Sequence, residues 1–150
     1  MTSTNTLTVI FTVSFVAAFV VTSIALVYVL RAPHIIIQDA ALVDEYYYLN
    51  ASNAVSRLSS DLLGSALLLM SAQYIIYARN VSSSLARIGI VAALVAITSI
   101  VMHASASEPD SMSKARSWYA RTDIRNAVAY DVIYMVTLYI VMTTLYTYFV

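Results

Sequence analysis

Cysteine is absent from this 150-residue chain, and glycine and proline occur only twice each. The missing cysteine excludes disulfides, thiolate metal sites and cysteine nucleophiles, and it leaves the redox compartment undetermined. Two glycines are too few for the loops that cradle phosphates, which argues against nucleotide binding of that kind. Charge is scarce as well. Only 11% of the residues are charged, against about a quarter in an ordinary soluble domain, and the net charge is zero. No basic tail or stripe points to nucleic acid, and no acidic tract points to a cationic partner. There is no G-x-S-x-G elbow and no Ser–His–acid arrangement. His34 and His103 stand far apart, and neither forms a metal- or haem-ligating pair on one helix face. From these absences we expect no enzyme, no cofactor and no bound metal.

What is present is apolar: 61% of the residues are hydrophobic. Four runs, at 7–30, 62–78, 88–104 and 132–150, contain no Asp, Glu, Lys or Arg. Each is long enough, or nearly so, to cross a bilayer, which takes about 17–25 helical residues. A water-soluble protein of this composition would expose large apolar patches. The sequence therefore predicts an all-α integral membrane four-helix bundle in one domain, surrounded by lipid. The first run lacks a positively charged leader and exceeds the roughly 7–15 apolar residues of a secretion signal, so it reads as a retained anchor.

Between the runs lie two longer polar stretches, and these predict helical extensions over 40–61 and 109–131 on one side of the membrane. The first helix should stop near Leu30–Arg31, because Pro33 follows and biases Ala32 towards an extended conformation. His34 to Ile37 then reads as a short β-branched stretch at the membrane surface. Asp39 suits a helix N-cap. Tyr47, Ala51, Ala54, Leu58 and Leu62 recur at helical steps, so one helix could run from Ala40 to Ala78. Residues 79–87 predict a tight turn, with a serine capping the third span and the second and third spans forming an antiparallel hairpin. Ser107-Glu108-Pro109-Asp110 looks like another helix start, with everything beyond it potentially helical.

The positive-inside rule orients the bundle. Arg31, Arg57, Lys114, Arg116, Arg121 and Arg125 fall on the side of the long polar stretches, and only Arg79 and Arg87 fall on the other. That places the long loops inside and both termini outside.

This topology sets four ionisable residues at matching helix ends: Arg31, Asp61, His103 and Asp131. Such a polar cluster could bind a cation, relay protons or gate a pore. The plainer reading is an interfacial charge layer in which Arg31 pairs with Asp61 or Asp131 and long side chains reach water. End-of-helix charges are cheap, which favours the plainer reading. A second pattern is a set of small residues at four-residue spacing: Gly89 with Ala93, Ala92 with Ala96, and Ser60 with Gly64. Faces of this kind let helices approach closely in lipid, and we expect them to pack inside the bundle. The tyrosines of the fourth run, among them Tyr130, Tyr134 and Tyr139, suit interface anchoring and interhelical hydrogen bonds.

The function class that fits this inventory is a structural or accessory subunit of a larger membrane assembly, such as a respiratory-type complex or a virion membrane layer. The polar extensions would dock other subunits or copies of the chain. The alternative is a small oligomeric ion channel or transporter using the inner-side polar cluster.

Overall fold

In lipid a backbone has no water to bond, so each spanning segment must satisfy its own N–H and C=O groups, and a helix does so. The computed structural model describes residues 4–48, 51–106 and 114–150, with their side chains except at 4–5, 51–56 and 114–116. All regular structure in these residues is helical. Helix α1 spans Thr4–Ser23 and continues as a π-helical segment, Ile24–Val29. The short α2 covers Ala32–Ile36 and α3 covers Ala40–Tyr47. Then come α4 (Ala51–Ala78), α5 (Ser84–Ser105), α6 (Lys114–Arg121) and α7 (Ile124–Phe149). Four stretches are long and apolar enough to cross a membrane: Thr6–Val29, Arg57–Ala78, Ser84–Ser105 and Ile124–Phe149. The chain is an all-α, multi-pass membrane protein built on a four-helix bundle.

The exterior of the bundle is apolar. On α1, Val9, Val13, Val16 and Val20 form an exposed stripe, while Ser14, Phe15, Ala18, Phe19 and Thr22 turn inward. In water that stripe would be a liability, but in hydrocarbon it is the solvated face. Helix α7 packs against α1 and α5, and α4 packs against α5. Phe19, Leu69, Val91, Val95, Leu138 and Met142 lie in the core that these helices share. A second core sits at one end, where Leu26, Val27, Ile37, Val43, Tyr47, Trp118 and Tyr130 bring α2, α3 and α6 onto the bundle. The Phe11 ring meets Tyr146 edge-on at 6.1 Å, so the beginning of α1 and the end of α7 share the opposite end.

The local signals hold in several places. Asp39 caps α3 by accepting a hydrogen bond from the Leu42 amide at 2.9 Å. Ser83 caps α5, and the α4–α5 turn is closed by Arg87 Nε donating to the Val81 carbonyl at 2.8 Å.

Other expectations need correction. The 40–61 extension is not one rod with the second span. It divides into α3 and the first part of α4, with residues 49–50 outside the described residues. The side chains of Ala51 and Ala54 in the expected stripe also lie outside them. The 109–131 extension is interrupted after Arg121, and Asp123 restarts the chain as the cap of α7, accepting from the Arg125 amide at 2.9 Å. The proposed start at Ser107 to Asp110 lies outside the described residues. Residues 32–36 are helical, not extended. Arg31 takes the left-handed conformation (φ 48°), and Pro33 then falls in the first turn of α2, where its missing N–H costs nothing.

The small residues divide. Ala92 and Ala96 are half-buried, but Gly89, Ala93 and Ile97 face outward, so that row does not pack inside the bundle as expected. A side chain added at Gly64 or Gly89 would meet nothing within 4 Å, so neither glycine serves a close helix contact within the chain.

The inside-out packing makes a prediction. Leu138→Ala, in the sealed centre, should lower stability by about 2–4 kcal/mol by leaving a cavity. Val13→Ala, on the exposed stripe, should change it by less than about 0.5 kcal/mol. Thermal unfolding of detergent-solubilised protein measures both. Equal losses would show that the inner and outer faces are misassigned.

A candidate ligand cavity between the spans

Helices α4 and α5 touch along the Leu69–Ile76 half of α4, where buried Leu69, Ala72 and Ile76 join Val91 and Val95 in the main core. Towards the other end they enclose a cavity of about 420 Å³ together with α7. Its walls carry Asp61, Ser65 and Leu68 from α4, Val95 and Ser99 from α5, and Tyr130, Asp131 and Tyr134 from α7. Tyr46 and Tyr47 of α3 and Trp118 and Tyr119 of α6 close it over. The exposed part of the lining is Ser60, Gly64, Leu67 and Ser71 on one stripe of α4, with Thr98 on α5. Among the described residues the cavity therefore opens sideways between these two helices, on the exposed face of the bundle.

Arg57 organises one wall. Its side chain is only 2% exposed. Nη1 donates to Asp61 Oδ2 at 3.2 Å one helical turn away, and Nη2 reaches the Tyr28 hydroxyl at 3.4 Å. The guanidinium lies over the Tyr47 ring, 4.6 Å from its centroid. Pairing, hydrogen bonding and a cation–π contact together offset the cost of taking a cation out of water.

Asp131 faces the cavity from α7. Ser99 Oγ donates to its Oδ2 at 2.7 Å and the Tyr119 hydroxyl donates to the same oxygen at 2.6 Å. Two donors on one oxygen suit an ionised acceptor, and neither bond uses Oδ1. Among the described residues, one guanidinium against two carboxylates leaves the lining with a formal excess of one negative charge.

An aromatic lid completes the site. Tyr46 stacks on Trp118 with centroids 4.5 Å apart, and Tyr47 meets the same indole edge-on at 5.4 Å. The lid is tied down outside by Arg121 Nη1 donating to Glu45 Oε2 at 2.8 Å, and α2 is tied to α3 by His34 with Asp44 at 2.9 Å. Tyr48 donates to the Val27 carbonyl at 2.6 Å, satisfying a carbonyl in the π-helical segment. π-Helical segments of this kind often mark functional sites.

Burial pushes the phenols of Tyr46, Tyr47 and Tyr119 well above the usual value of 10.0, and nearby Asp61 and Asp131 add to this for Tyr46 and Tyr119 respectively. All three stay neutral, as hydrogen-bond donors must. The stability linked to these raised values is complete below about pH 10 and is lost as pH rises through the folded values.

The expected four-residue cluster is thus half assembled. Asp61 and Asp131 line one cavity. Arg31 does not join them: it is exposed, 5.9 Å above the Tyr48 ring. The cation beside Asp61 is Arg57 instead. His103 lies one turn beyond Ser99 on α5 but off the lining, with Nδ1 buried and unpartnered. Ser60 and Gly64 border the mouth, and a Cβ added at Gly64 would meet no described atom within 4 Å. Among the described residues no group of three His, Asp or Glu side chains is placed to hold a metal ion. Sequence reasoning missed Arg57, Ser99, Trp118 and Tyr119 as site residues. The i, i+4 spacing of Arg57 and Asp61 was the available signal.

A second recess lies at the opposite end, a groove of about 640 Å³ between α5 and α7 lined by Ser84, Arg87, Tyr139, Thr143 and Thr147 among others. Val91, Leu138 and Met142, all 1% exposed or less, fill the bundle between the two recesses. Comparison with protein-family models, with curated proteins and with solved structures gives no match.

Two outcomes check the site. Arg57→Met should cost on the order of 2–3 kcal/mol by stranding Asp61, and adding Asp61→Leu should recover most of it. Full additivity of the two losses in thermal unfolding would refute the pairing. In an alkaline spectrophotometric titration, a set of phenols should ionise only as the protein unfolds. Tyr119→Phe should shrink that late step, and a single early step with ordinary tyrosine behaviour would contradict the buried lid.

Proposed function

We propose that this chain is a small membrane carrier that binds an amphipathic small molecule in the cavity between α4, α5 and α7. The carrying observation is the cavity itself: a mostly apolar and aromatic recess that carries Arg57, Asp61 and Asp131, open sideways between α4 and α5 and backed by a closely packed apolar core. Its size falls in the usual range for small-ligand sites, about 300–1,000 Å³. A recess at each end with closely packed apolar side chains between them supports a carrier over an open channel, since among the described residues no continuous polar path joins the two. The Arg and Lys distribution supports an orientation in which the charged cavity faces inside and both termini lie outside.

The alternative is the accessory subunit, in which the outer faces of α3 and α6 would dock a partner while their aromatic residues turn onto the cavity and onto each other. It keeps one specific observation. The outward Gly89–Ala93 row would let a helix of another subunit, or of a second copy, approach closely.

Gly64→Trp tests the carrier reading, because the mouth has room there and the indole would block it. The two proteins are extracted gently from the native membrane and their bound molecules compared by native mass spectrometry. The wild type should retain a small molecule that the variant has lost. Identical small-molecule content, with a fixed protein partner on both, would instead support the accessory subunit.

A further inference from the structure

We infer that the cavity takes a monovalent organic cation with an apolar body, its charge set against Asp131 and its body laid on the aromatic wall. This rests on the carrier reading and names the ligand class for the same site.

Charge comes first. Arg57 neutralises Asp61 by direct contact at 3.2 Å, so the unbalanced charge in the lining is the Asp131 carboxylate. Both of its hydrogen bonds converge on Oδ2, which leaves Oδ1 for a ligand. An anion finds no comparable partner. Among the described residues Arg57 is the only cationic one in the lining, and its guanidinium is engaged by Asp61, Tyr28 and the Tyr47 ring. Its one unpartnered nitrogen, Nε, is fully buried and out of a ligand's reach.

The walls then disfavour a divalent metal ion. A hard divalent cation needs about six oxygen ligands, and among the described residues no three His, Asp or Glu side chains are placed to hold one. Trp118, Tyr46 and Tyr130 present ring surfaces that attract a diffuse organic cation. The mouth adds the last constraint. It opens beside Leu67, which is 67% exposed on the lipid-facing surface, so a ligand that partitions into the bilayer can enter directly.

The test uses a pair of probes of equal shape and opposite charge, tetraphenylphosphonium and tetraphenylborate. Equilibrium binding is measured on the full chain in nanodiscs of phosphatidylcholine, which has no net charge. The phosphonium should bind saturably, Gly64→Trp should abolish that binding, and Asp131→Asn should weaken it by about tenfold or more. Asp131→Glu restores the charge and should restore most of the binding, which separates charge loss from misfolding. The borate should show no binding that Gly64→Trp removes. If the borate binds as tightly and is blocked by Gly64→Trp, the cavity stands and the cation assignment falls. Unchanged phosphonium binding in Asp131→Asn also overturns the assignment. If neither probe responds to Gly64→Trp, the carrier reading falls with it.

Discussion

A guanidinium buried at the edge of a lipid-facing bundle is the constraint around which one end of this protein is built. Arg57 is 3% exposed overall, at the start of a membrane-crossing stretch. A cation at the centre of such a helix costs about 2.5–3.5 kcal/mol on insertion scales, and here it must be met by neighbours. Asp61 supplies the counter-charge, Tyr47 the ring face and Tyr28 a hydroxyl. Each partner fixes an element: Asp61 the next turn of α4, Tyr47 the position of α3, and Tyr28 the π-helical end of α1. With α3 held there, Tyr46 meets Trp118 and the lid closes over the cavity.

The exposed ion pairs do different work. His34–Asp44 and Arg121–Glu45 are partly hydrated, and such pairs contribute about 0–1 kcal/mol. Their effect is on register, holding α2, α3 and α6 against one another. The strength of this end comes from its aromatic packing, with Trp118 and Tyr47 almost fully buried. The core of the other half is packed around the apolar side chains of Leu69, Leu138 and Met142, with Arg87 at its edge. The division of labour follows from the solvent. Apolar contact suffices where lipid surrounds the helices, and every polar group that enters must bring its partners with it.

How much of this was legible in the sequence varies by feature. Uncharged apolar length made the four long helices readable, and side-chain chemistry made the Asp39 and Ser83 caps readable. Asp61 and Asp131 were expected at one level, and they share a cavity. The break around Tyr48 was not readable, because the helical stripe through Tyr47, Ala51 and Ala54 continues across it and tertiary packing decides, whereas at Arg121 the Asp123 cap was a signal left unused. Arg31 looked equivalent to Arg57 by position, since both lie near a span end. What separates them is burial: Arg57 has Asp61 one turn away, whereas Arg31 follows the last turn of its helix and points to water. The Gly89–Ala93 row read as a contact because small residues permit close approach, but permission does not choose the partner.

The central claim is a cavity that opens sideways between α4 and α5 and is separated from the opposite end of the bundle by closely packed apolar side chains. Because the chain has no cysteine, single cysteines report cleanly on local access. The direct measurement places one cysteine at Ser65, in the cavity wall, and one at Leu138, in the apolar centre, and exposes each, in membranes, to an uncharged maleimide that partitions into the bilayer. The account predicts that the cysteine at 65 reacts, that Gly64→Trp protects it, and that the cysteine at 138 does not react. Reaction at 138, or no reaction at 65, would contradict it.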